Sequence, residues 1–462
     1  MAPRSVGGVG EARVTLAGAS PVVTAARITA LRGLALLMWA CELTVILAPS
    51  ALVETVSQVA LVCFLVLSVL NLRHWTLVIT GVAAVLCAGA VAAGADPWRA
   101  VDRLAQATRL AAFLECLLLL RAVVEMHPRL TDVQDRFEAI AARDRDGGIL
   151  LVSHVLGSVL TLGVMSIFAP IMRRAQSDAR LRAAQFSMRG FSLIVLWSPF
   201  TVAMATVNAS IPHLALWKIS AVGLAVSGAA ILSGLLLGQF HISPRSLREM
   251  ATAVAAVGVP LTLLTLMTVL VSAVLHLGAI MACILIITIF GAGWVATMGP
   301  AAAAGAARQT WTSLDRLGDE FMLFTVSVVL AGLMLDVPML SDLLRAAVAE
   351  GRPPFLMLMA GAMLVALLPM AGIHMILPAS ICISAFVQLG PFSQSDELIF
   401  IALILTGWCF GSMLSPASIA LLTASTLFGV PRRSLALGAN LRFLLTMFAA
   451  VSAIGGVTYS LL

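Results

Sequence analysis

Long apolar runs follow one another along almost the whole chain, and no other feature constrains the fold as strongly. They fall at 28–49, 52–71, 75–95, 104–125, 147–172, 183–210, 214–239, 250–275, 277–298, 319–337, 355–391, 398–428 and 434–460. An α-helix needs about 20 residues to cross a hydrocarbon layer of about 30 Å. Composition agrees, since 61% of the 462 residues are hydrophobic and 11% are charged, against about a quarter charged in a soluble domain. So few charges cannot cover a soluble surface, and the chain reads as an all-α polytopic membrane protein. The alternating ten-residue segments of an outer-membrane barrel are missing. The seven cysteines lie in apolar runs as packing residues, and no Cys/His cluster suits a metal.

The formal charge of +6 resides mostly in short loops between apolar runs. That pattern sets membrane orientation and gives no nucleic-acid face. With Arg4, Arg13, Arg27 and Arg32 in the cytoplasm, Arg73 is also inside and 96–103 is outside. A full crossing by 147–172 would then carry Arg173, Arg174, Arg180 and Arg182 outside, whereas a re-entrant hairpin returns them. Given the hairpin, Arg245, Arg248, Arg308, Arg316, Arg432 and Arg433 all fall inside. Run 355–391 is long for one helix and reads as a second hairpin, entering from the other face. The expectation is eleven transmembrane helices plus two re-entrant hairpins. The N-terminus is cytoplasmic and the C-terminus periplasmic, in a bacterial inner membrane.

Stretches 128–146 and 339–352 carry helical charge patterns and read as surface helices, with ordinary hydrophilic loops as the alternative, an equal one for 339–352. The chain then divides into 1–50, a polar tail and first span; 51–240, a first repeat; and 250–462, a second. Each repeat has three spans, a surface helix, a hairpin and two more spans. Five crossings per repeat make the two inverted, the architecture of many secondary transporters.

Shifting the chain by 217 positions places Gly190, Ser198, Pro199, Ala203 and Thr206 on Gly407, Ser415, Pro416, Ala420 and Thr423, with Thr201 on Ser418. A proline inside a span removes a backbone hydrogen bond and clashes one turn back. Unwound backbone at membrane depth is tolerated only against protein or water. The two Ser-Pro pairs therefore read either as simple kinks or as two opened helices forming a binding site, and their matching positions favour the site. The hairpins contribute Ser153-His154 and Gly372-Ile-His374, whose histidines could bind an anion, carry a proton or cap a turn. The candidate substrate-binding set is Ser153, His154, Ser198, Pro199, Thr201, His374, Ser415, Pro416 and Ser418. Thr206, Asn208, Thr423 and Asn440 are the candidate coupling-ion set. Arg442 reads as the one arginine well inside the last span, while Arg109, Glu115 and Arg121 read as pairing within the scaffold.

With surface helix, hairpin, broken helix and final span occurring twice over, residues 50–460 resemble the ion transporter superfamily, in particular the divalent anion/sodium symporter family. The resemblance implies a homodimer with a fixed scaffold and an elevator-like transport domain. Substrate would sit between hairpin tips (Ser153-His154 and Gly372-Ile373-His374) and broken-helix loops (Ser198-Pro199 and Ser415-Pro416). The family's Ser-Asn-Thr motifs at the tips are absent here, and histidines stand instead. The expected function is secondary active transport of a small organic anion, a di- or tricarboxylate among the candidates. A sodium or proton gradient would drive it, with Na⁺ as the one candidate ion besides the proton and no cofactor. The chain is not expected to be an enzyme. The alternatives are a rocker-switch exporter, which would lack hairpins, and a membrane-embedded enzyme acting on a lipid-linked substrate.

Overall fold

The computed structural model describes residues 21–128, 133, 137, 140–172, 175–346, 348, 353–390, 392–416 and 418–461. Nine of the 19 residues in the expected surface helix 128–146 lie outside the described residues, as do 347 and 349–352 of the second. Every regular element described is helical. The first four are α1 (Pro21–Leu47), α2 (Ala51–Ser68), α3 (His74–Ala92) and α4 (Trp98–Glu125). Next come α5 (Arg145–Leu160), α6 (Val164–Met172), α7 (Ser177–Leu193), α8 (Val202–Ser210) and α9 (Leu216–Leu236). The same kind of order follows in α10 (Pro244–Val274), α11 (Ala279–Thr297), α12 (Pro300–Ser313), α13 (Gly318–Asp336) and the short α14 (Pro338–Ala346). The chain closes with α15 (Phe355–Leu367), α16 (Ile376–Leu389), α17 (Gln394–Leu414), α18 (Ile419–Phe428), α19 (Arg432–Leu437) and α20 (Ala439–Leu461).

Ten helical runs among the described residues are long and apolar enough to cross a membrane. One of them, Ala142–Met172, runs through a turn; α4, with its charged residues, and the interrupted α7–α8 pair are not among the ten. Helix α12, rich in alanine, was not among the expected spans; at 14 residues it is too short to cross. Large apolar side chains are exposed on the outer faces, Val85 at 72% and Leu236 at 77% among them. This is what a protein whose solvent is lipid presents.

Polar side chains gather at two levels. At one, Arg27 donates to Asn71, Arg32 to Asp315 and Gln309 to Glu125, while Arg73 pairs with Asp319. At the other, Arg99 pairs with Asp336, Lys218 with Gln394 and His213 with Glu397. Helices α4 and α13 connect the two levels, with Arg99 and Glu125 towards the ends of α4 and Asp319 and Asp336 at the ends of α13.

Two segments double back. Helix α7 runs parallel to α5: Arg182 meets Asp146, Ser187 meets Ser153 and Gly190 meets His154. Met172, at the end of α6, lines one cavity with Asp146 and Arg182. The chain therefore leaves this motif at the level where it entered, turning at 161–163, where Thr161 has φ 48°. Likewise α17 runs parallel to α15, with Phe400 beside Gly361 and Gly411 beside Pro369. Helix α16 returns alongside them, Cys382 reaching the Gly361 carbonyl and Phe386 stacking on Phe400 at 4.0 Å. Its turn is Leu368–Ala371 followed by Gly372 at φ 92°, a backbone that glycine adopts without steric cost.

Small residues set these contacts. A Cβ on Gly190 would stand 2.3 Å from the Leu150 carbonyl oxygen, and one on Gly407 2.5 Å from that of Ala362. In lipid there is little hydrophobic drive between helices, so close backbone approach through small residues supplies the packing. The two glycines of the 217-residue repeat are thus the points where each doubled-back segment meets its parallel helix.

Candidate functional site

Both Ser-Pro pairs interrupt helices. After α7 and a short 3-10 turn, Trp197–Phe200 is unwound, and α8 restarts with Thr201 as its N-cap, its hydroxyl accepting from the Met204 amide. After α17, Ser415-Pro416 is unwound, and α18 restarts with Ser418 as N-cap, accepting from the Leu421 amide. The two caps are the residues paired by the 217-position shift. Between the breaks α7 and α17 cross antiparallel, with Ser192 and Ser412 hydroxyls 3.1 Å apart and the Cys409 thiol 3.2 Å from the Ser192 carbonyl.

The first break is closed on itself. Ser198 is fully buried, its hydroxyl accepting from the Phe200 amide while its carbonyl accepts from the Thr201 hydroxyl at 3.1 Å. The Pro199 carbonyl receives the Cys283 thiol. His154 lies within α5, two turns before the doubling-back turn rather than at it. One ring nitrogen meets the Gly190 carbonyl at 3.2 Å and the other accepts the Trp197 indole N–H at 3.1 Å. It is a strut that ties α5 to α7 and to the break. Ser153 bonds Ser187 at 3.0 Å. Thr206 and Asn208 bond back to Val202 and Met204 of their own helix.

The second break opens onto a cavity of about 370 Å³. One wall is Gly372, His374, Ile376, Pro416, Ser418 and Arg432; the other is Arg73, His74, Thr76, Asp319 and Glu320 from α3, α13 and the loop before α3. His374, expected at a tip, does sit beside the turn, and its Nδ1 accepts weakly from the Ile376 amide at 3.4 Å. Ser415 donates to the Pro369 carbonyl at 2.7 Å and Ser418 to that of Ser412, which fixes break and turn together. Thr423 is half-buried one turn into α18.

The first turns of α3, α13, α16 and α18 all line this cavity. Helix N-termini carry partial positive charge and free amide donors, so four of them favour an anion between them. Asp319 and Glu320 offset part of that field at α13, and Asp319 is engaged by Arg73 at 3.6 Å. Arg432 adds a cation without an ion-pair partner among the described residues.

The wall from α3 and α13 was missed in the sequence: Arg73, and Arg432 on the facing wall, read only as orienting charges, and Asp319 was not singled out. Arg442 is exposed. The buried arginine is Arg189, 2% exposed, donating to Asn440 and Gln239 at 3.0 Å each and packed over the Phe186 and Phe443 rings. Asn440 is thus committed to Arg189. A cavity of about 680 Å³ between α9, α17 and α20 is lined almost wholly by apolar side chains and brings no chemistry together.

Fold and site together define a polytopic α-helical membrane protein of a kind consistent with transport. No protein-family model matches the chain, and no curated protein matches it.

Proposed function

We propose that the protein is a secondary active transporter of a small organic anion, working by an elevator-type movement and driven by a sodium or proton gradient. The observation that carries this reading is the polar cavity at the second break. It brings His374, Pro416 and Ser418, singled out from distant parts of the sequence, to four helix N-termini and Arg432. A cavity of about 370 Å³ suits a di- or tricarboxylate in size.

In this reading the two doubled-back segments are re-entrant hairpins, α4 and the α7–α8 pair also cross, and eleven crossings run through two inverted repeats. The repeated order of hairpin, glycine contact, broken helix and final helix supports it. So does the contact of Arg180 with Gly429, mirrored by His213 with Glu397. Helices α1–α4 and α10–α13 form the scaffold of a homodimer, as in the divalent anion/sodium symporter family. The remaining elements form the moving part. The turn at Gly163 stands beside Arg121 and Glu125 at the end of α4, and the turn at Gly372 beside the first turns of α3 and α13. Those scaffold ends carry the basic loops, so the cavity faces the cytoplasm in an inward-facing state.

A thermal-shift screen of the purified protein against di- and tricarboxylates, with and without sodium, tests this. A bound anion at 100 to 1,000 times its Kd stabilises by about 3–4 kcal/mol. That shift should vanish in the double variant His374→Gln, Ser418→Ala. Absence of any anion-dependent shift, or a shift unchanged in the variant, would refute the assignment.

A further inference from the structure

The transport reading leaves one group in the scaffold unused. Glu115 on α4 is 0% exposed, and both its carboxylate oxygens lack a hydrogen-bond partner among the described residues. Of the three α4 residues expected to pair within the scaffold, Arg109 does so with Glu54 at 3.8 Å and Arg121 with Glu125 at 2.7 Å, and Glu115 does not.

The groups facing Glu115 are acids, thiols and hydroxyls. From α1 comes Glu42, 3% exposed, which accepts from the Ser57 hydroxyl of α2 at 2.9 Å and lies within reach of the Thr108 hydroxyl on α4. Next to Glu115 on α4 is the Cys116 thiol, 3.6 Å from the Thr288 hydroxyl of α11, with the Cys283 thiol of α11 behind it. Farther out, Glu54 and Arg109 flank Glu42 at the polar rim, both more than a third exposed. Along α4, Thr108 and Arg109 stand about two turns nearer that rim than Glu115. Glu54, Glu42 and Glu115 therefore form a file of carboxyls that becomes steadily less exposed, with Ser57 and Thr108 between.

An ionised carboxylate in an apolar interior, with neither a base nor a donor, is far costlier than the neutral acid. Intramembrane ionisable groups of this kind mark proton and ion paths. We propose that Glu115 holds a proton and exchanges it with the Glu54–Arg109 rim through Glu42, Ser57 and Thr108. The scaffold then contains a proton-binding site separate from the anion cavity, whose residues it does not share. Its step is a proton moving between carboxyl oxygens and water, with no other bond changed.

Infrared spectroscopy on the full-length protein in nanodiscs at neutral pH tests this, and its outcome is independent of anion binding. The carbonyl stretch of a protonated carboxyl should be present in the parent and absent in Glu115→Gln. It should shift on transfer to D₂O, and at least tenfold more slowly in Glu42→Leu. A band unaffected by Glu115→Gln, or exchange at the same rate in Glu42→Leu, overturns the proposal. Dicyclohexylcarbodiimide, which attacks protonated carboxyls in apolar surroundings, needs no variant. Peptide mass spectrometry should find it on Glu115 of the parent chain, and an unmodified Glu115 likewise overturns the assignment.

Discussion

The two buried-segment histidines should respond to substitution in opposite ways. His154 makes two hydrogen bonds, to the Gly190 carbonyl at 3.2 Å and from the Trp197 indole at 3.1 Å. Replacing it with leucine strands the Trp197 donor in the interior, at a cost of about 1–3 kcal/mol, and loses a second bond worth about 1 kcal/mol. The expected destabilisation is therefore about 2–4 kcal/mol, with little direct effect on an anion, because the cavity does not include His154. His374 makes one contact, 3.4 Å long, at the edge of hydrogen-bond range. His374→Ala should cost the fold under about 1 kcal/mol. A hydrogen bond to a charged ligand is worth about 1.5–3 kcal/mol, so the same change should weaken anion binding roughly 10- to 100-fold. Thermal unfolding in detergent reads the first quantity, and titration calorimetry with the best anion from the screen reads the second. If His154→Leu melts at the parental temperature, the strut is imaginary. Unchanged affinity in His374→Ala would remove the histidine from the site.

Two other outcomes follow from the packing and the charge layers. Gly190→Ala should lower the melting temperature, because overpacking against a carbonyl at 2.3 Å costs about 1–3 kcal/mol and outweighs the gain of up to about 1 kcal/mol in helix propensity. Gly293→Ala, with nothing within 4 Å, should not lower it, and equal losses in both would discredit the close-approach account. Reporter fusions at Arg180 and Arg432 should both report cytoplasm and one at Gln394 periplasm; a periplasmic Arg180 would eliminate the first hairpin.

The helices were legible because lipid enforces long apolar runs, and the breaks because proline in such a run has few uses. Thr201 and Ser418 were singled out as substrate ligands, and the structure uses both hydroxyls as the caps that restart a helix. Other features left no local signal. His154 looks like a hairpin tip in sequence, since its partners Gly190 and Trp197 lie 36 and 43 residues away. Arg189 lies in a stretch of mixed polarity, and nothing nearby announces that Asn440 and two phenylalanines enclose it. The scaffold wall of the cavity was hidden because a loop charge that orients a protein and one that faces a ligand look alike until helices pack.

The two breaks are alike in sequence and differ in what surrounds them, and that difference bears on mechanism. Side-chain hydroxyls tie both breaks down among the described residues: Ser198 and Thr201 bond within the first, while Ser415 and Ser418 donate to carbonyls of the neighbouring turn and helix in the second. What remains variable is the scaffold opposite. Around Pro199 it is α11, packed down to a thiol on the proline carbonyl; around Pro416 it is the open end of α3 and α13. A rigid unit carrying both breaks could move along the scaffold without altering its own hydrogen bonds, and the movement would change only which wall faces each break. The proposed elevator requires a preformed site whose exposure depends on position rather than on refolding, and breaks capped by their own Thr201 and Ser418 are consistent with that proposal.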